Sequence, residues 1–140
     1  MLRAKWWKIL SFVLLLYTCT YGFIVKVPKL DDRMRESIRN MFFHVPMWFG
    51  MMILFFISLV YAIKYLREPS SLNDTYSYEF AQTGIILGLL GYSTGMIWAN
   101  FTWGKPLSSD PKQIGAAVGV LIYCAYFVLR GSVVDEKKSR

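Results

Sequence analysis

Residues 40–63 read "NMFFHVPMWFGMMILFFISLVYAI" and contain no Asp, Glu, Lys or Arg. An uncharged run of this kind matches the roughly 17 to 25 residues a helix needs to cross about 30 Å of hydrocarbon. Three more such runs lie between Lys8 and Lys26, between Glu79 and Lys105, and between Lys112 and Arg130. Inside lipid every backbone amide must pair within its own segment, so each run is expected to be a helix. The 140-residue chain, 55% hydrophobic and 17% aromatic, therefore reads as an all-α membrane protein. One integral membrane domain is expected over residues 1–140, with transmembrane helices near residues 7–25, 46–66, 80–100 and 113–130.

Arg3, Lys5 and Lys8 precede the apolar "ILSFVLLLYT", which is also the layout of a signal peptide. The following "CTYGFIV" lacks a small-x-small cleavage pattern and the run exceeds the usual signal length, so the first helix is expected to be retained. The basic start places the N-terminus in the cytoplasm, and four spans return the C-terminus to the same side. Lys26, Lys29, Arg33, Arg35 and Arg39 all fall in the first outer loop, against that rule, and require another explanation. A net charge of +7 does not indicate nucleic acid here. The basic residues flank apolar spans, where the phosphates of membrane lipid are the natural partners. Cys19 and Cys124 are expected at different depths and lie in neither C-x-x-C nor C-x-x-C-H, which excludes a thiol oxidoreductase and a cytochrome c.

In the first outer loop, Leu30, Met34, Ile38, Met41 and Phe42 recur at helical spacing opposite Arg33, Glu36 and Arg39, which predicts a short amphipathic helix on the outer surface. Pro46 is then expected to open the second span, since a first helical turn does not need its missing N–H. His44, the single histidine, falls at the corner between surface helix and span. Pro69 stops the second helix. Gly84, Gly88, Gly91 and Gly95 share a face of the third span, and Gly115 and Gly119 repeat the four-residue step in the fourth; both sets read as close helix packing. Trp98, Phe101 and Trp103 are expected at interfacial depth, where aromatic side chains ordinarily gather. Asp110, Pro111 and Gln113 form a capping-box pattern for the fourth helix.

No paired carboxylates, no nucleophile with a base and no phosphate loop occur in the connecting segments. The spans carry no acidic residue, which argues against a proton-coupled transporter. One imidazole cannot build a zinc site, which takes three or four protein ligands. Heme needs only one or two axial ligands from the protein, and its flat apolar body and two propionates suit aromatics and cations.

The segments "FFHVPMWFGMM", "GMIWANFTWG" and "DPKQIGAAVG" resemble the CcmC-type cytochrome c assembly proteins, part of a heme-handling superfamily with a tryptophan-rich loop. Trp103, Gly104 and Asp110 match that loop, whereas Pro106, Leu107 and Ser109 stand where aromatics are usual. The resemblance implies heme b held on the outer face of the bacterial inner membrane and passed to a membrane-anchored heme chaperone, CcmE-like, alongside ABC-transporter subunits. It implies no enzymatic turnover, and it gives His44 the role of axial ligand. Trp98, Phe101, Trp103 and Gly104 then belong to the heme platform, and charge placement adds Arg33, Arg35 and Arg39 as propionate partners. The family's second axial histidine and last two spans have no counterpart in this sequence, so either the chain is a truncated product or natural fragment, or the other ligand comes from a partner chain, Met47 or water. The alternatives are a cofactor-free scaffold subunit of an ABC-type complex and a small-substrate transporter.

Overall fold

The computed structural model describes residues 5–27 and 37–139. Four helices follow one another, α1 (Trp6–Ile24), α2 (Met41–Arg67), α3 (Ser71–Trp103) and α4 (Pro111–Ser139), with a 3-10 turn at Ser37–Asn40 leading into α2. No strand occurs among the described residues. All four helices are long and apolar enough to cross a membrane. Large side chains such as Phe12, Leu15, Phe56 and Leu121 are more than 60% exposed, the arrangement of a protein whose apolar surface meets lipid. The chain is a multi-pass membrane protein.

Packing is strongest between α2 and α3, an antiparallel hairpin joined by Glu68–Ser70. Glycines on α3 leave room that large side chains of α2 fill. A Cβ built on Gly84, Gly88, Gly91 or Gly95 would lie 2.6 Å from Phe55, 2.8 Å from Met51, 3.2 Å from Trp48 or 2.9 Å from His44. These four α2 residues follow helical spacing, so one face of α2 is seated along one face of α3. Toward the α2–α3 link the hairpin is tied by Ser58 Oγ donating to Ser77 O at 2.7 Å, and at the His44 end by Asn40 Nδ2 donating to Thr94 O at 2.6 Å.

Among the described residues, the ring contacts and hydrogen bonds between α1 and the rest of the chain lie near the C-terminus of α1. Phe43 covers Gly22 and lies 5.2 Å from the Phe23 ring. Arg39 Nη1 donates to the carbonyls of Gly22, Phe23 and Val25 at 3.2, 2.9 and 2.7 Å, partners the end of a helix otherwise lacks.

Helix α4 is held at its two ends. At one, Asp110 Oδ1 accepts from Lys112 N at 2.7 Å, and Gln113 accepts from Ser108 N and Oγ while donating to Pro106 O. At the other, Arg130 donates to Asp74 at 2.6 Å and lies 4.8 Å over the Tyr78 ring. Between them Tyr123 stacks on Phe55 with centroids 3.8 Å apart.

Three sequence expectations need correction. Helix α2 starts at Met41, so Pro46 lies inside it rather than at its first position. Phe43 on α1 and His44 on α3 hold the extra turn in place, and a membrane helix tolerates the interior proline. The expected surface helix falls largely on residues 28–36, which lie outside the described residues; Ser37–Asn40, which follows them, is a 3-10 turn. The capping box is half formed, because Gln113 is engaged by Ser108 and Pro106 instead of reaching back to Asp110. Finally, a Cβ on Gly115 or Gly119 would meet nothing within 4 Å, so these glycines do not seat a neighbouring helix.

Candidate functional site

The space beside Gly115 and Gly119 is a cavity of about 710 Å³ between α2, α3 and α4. That is within the roughly 300–1,000 Å³ typical of small-molecule and cofactor sites. Helix α2 contributes His44, Trp48, Met51 and Phe55; α3 contributes Tyr92, Gly95, Trp98, Ala99 and Trp103. The third wall is α4, from Lys112 and Gln113 past Gly115, Ala116 and Gly119 to Tyr123, with Asp110 at its cap.

His44 is the chemical centre of this space. Its ring Nδ1 lies 2.9 Å from Gly91 O and 3.1 Å from Thr94 Oγ1. A carbonyl oxygen only accepts, so Nδ1 carries the proton and Nε2 keeps its lone pair. Thr94 Oγ1 is itself within 2.9 Å of both Leu90 O and Gly91 O, carbonyls that can take its hydroxyl proton. An imidazole whose Nδ1–H is fixed on a backbone carbonyl is the usual arrangement of a metal-ligating histidine. No group of three or more His, Cys, Asp or Glu side chains suited to a metal exists among the described residues. A metal bound here must therefore arrive with most of its own ligands, as iron does in a porphyrin.

Trp98 and Trp103 meet edge to face with centroids 5.3 Å apart, and both line the cavity with His44. The other platform residues are placed differently. Phe101, 68% exposed, borders a separate shallow groove with Ser93, Met96 and Pro106. Gly104 ends α3 in the left-handed conformation, φ 75°, and does not line the cavity. Arg39 is spent on the C-terminal carbonyls of α1, while Arg33 and Arg35 lie outside the described residues. Met47 is not among the lining residues either.

Lys112 is the cation that the sequence reading missed. Trp48, Met51 and Phe55 were missed as well, although they continue the helical spacing from His44. Taking Pro46 as a helix start hid that continuity.

The fold and the cavity define a polytopic membrane protein that offers one imidazole nitrogen to an aromatic, largely apolar space. The chain belongs to the heme exporter protein C (CcmC) family, whose sequence model matches residues 2–140. Relatives carry a related name. The chain is 40% identical over 81 residues to cytochrome c biogenesis protein CcsA of Prochlorococcus marinus subsp. pastoris, covering 54% of this chain and 26% of that protein. It is 29% identical over 125 residues to the CcsA of Trachelium caeruleum, covering 88% of this chain and 37% of that protein. The chain thus spans about a quarter to over a third of the length of these relatives. No solved structure matches it.

Proposed function

We propose that this chain binds heme b as cargo in the cavity during cytochrome c maturation and passes it to a membrane-anchored, CcmE-like chaperone. The observation that carries this reading is the His44 tautomer: Nδ1 fixed on Gly91 O, Nε2 left with its lone pair at the edge of an apolar aromatic cavity. The residues fit the group. His44 Nε2 supplies an axial ligand, Trp98 and Trp103 supply aromatic surface, and Lys112 at the mouth supplies a counter-charge for a propionate. Lys112 takes the part first given to Arg39. The protein holds and orients the cargo and keeps water from one side of it; no step here calls for a nucleophile or an acid–base pair.

The family and the four spans support a location in the bacterial inner membrane, with both termini in the cytoplasm and the His44 end facing outward. ABC-transporter subunits are the further partners of this reading. Replacing His44 with Ala should remove most bound heme, measured as pyridine hemochrome, while the protein still inserts. Equal heme in both proteins would discard His44 as ligand, and no Soret band in the native protein would favour the cofactor-free scaffold.

A further inference from the structure

We propose that, without its cargo, the cavity holds one phospholipid from the leaflet at the His44 end. Its phosphate would lie on Lys112 and one acyl chain would run along α4 to the Phe55–Tyr123 stack.

The depth of the cavity matches this occupant. From Lys112 at the mouth to Tyr123 at the floor, α4 rises about 16 Å at ~1.5 Å per residue. Half of a hydrocarbon core of about 30 Å is about 15 Å, so the floor falls where two leaflets meet. A chain from one leaflet ends at that depth.

Charge follows the same profile. The Lys112 ammonium has no ion-pair partner among the described residues, while Asp110 and Gln113 beside it are engaged in the cap and turn of α4. An unpaired ammonium above an apolar slot complements a phosphate above a hydrocarbon tail, with the neighbouring Asp110 carboxylate already held by the backbone N–H of Lys112. The slot also has an open side. The cavity is partly open rather than enclosed, so an acyl chain can enter it.

Acyl-chain occupancy can be read from tryptophan. With Trp6 and Trp7 changed to Phe, the three remaining tryptophans, Trp48, Trp98 and Trp103, all line the cavity. Heme-free protein is placed in nanodiscs of phosphatidylglycerol with either ordinary chains or chains brominated at mid-length, since bromine quenches tryptophan on contact. The brominated lipid should quench strongly. Adding Gly119→Phe, which enters space where a Cβ meets nothing, should leave less than half of that quenching at unchanged helix content. Gly115→Leu gives the same comparison if the first variant fails to assemble. Lys112→Glu should reduce quenching similarly, by repelling the phosphate. Equal quenching in parent and filled variants would overturn the proposal; so would a fall on filling with none in Lys112→Glu, because the phosphate would then have no part. The measurement excludes heme, so its failure leaves the heme reading standing.

Discussion

At the scale of single residues, His44 is set by its neighbours on α3. Gly95 lies beneath the ring, and a Cβ there would be 2.9 Å from His44 Cε1, so Gly95→Ala must push the imidazole off its bond to Gly91 O. Losing such outer support of a metal ligand typically costs about 10–100-fold in affinity. Gly95→Ala should therefore weaken heme binding by about 10-fold or more in a titration, with the histidine still present. Binding equal to wild type would mean the ring orientation is unimportant. Arg39 is predicted to behave in the opposite way. Its guanidinium serves the last carbonyls of α1, and hydrogen bonds to charged groups contribute about 1.5–3 kcal/mol. Arg39→Met should lower thermal stability in detergent by an amount of that order and leave the heme-to-protein ratio unchanged.

Among elements, the two glycine series look alike in sequence and differ in space. Gly84 seats the Phe55 ring, which is already stacked on Tyr123, so that ring cannot move aside freely. Gly84→Ala should destabilise by about 1–3 kcal/mol, the usual cost of overpacking. Gly119→Ala adds its methyl to open space and should be neutral or stabilising, by up to about 1 kcal/mol from helix propensity. Parallel thermal unfolding of the two variants tests the contrast, and equal losses would contradict the packing described for α4. The four spans were legible because charge is absent from each run, which needs no knowledge of tertiary contacts. Helix ends were not. Helix α3 begins at Ser71, before the uncharged run, and Asp74 in its first turn, which suits the helix dipole, also pairs with Arg130 of α4, a distant partner that spacing does not reveal. His44 was legible as the single imidazole, whereas the α4 wall was hidden because a glycine step reads the same facing a packed helix or a cavity.

For the whole molecule, one imidazole per chain limits the coordination available. The isolated protein should give a high-spin or mixed heme spectrum, and a low-spin bis-histidine spectrum requires two copies, since each carries a single histidine. A bis-histidine signal that survives dilution to a proven monomer would refute this. The α2–α3 hairpin also bears on how the chain acquires its topology. Along α2 the seated residues are spaced by four, three and four, and the glycines of α3 repeat four, three and four, a series that reads identically from either end. Spacing alone thus does not say which way α2 should run; a parallel α2 would find the same seats, with His44 on Gly84 in place of Gly95. The order of the spans supplies the missing sense of direction, since a chain leaving α2 on one side of the membrane enters α3 from that side, and the short link at residues 68–70 keeps the two helices of one chain together. Lengthening that link would leave the two spans antiparallel but would loosen their pairing within one chain and invite exchange of α2 between neighbouring copies.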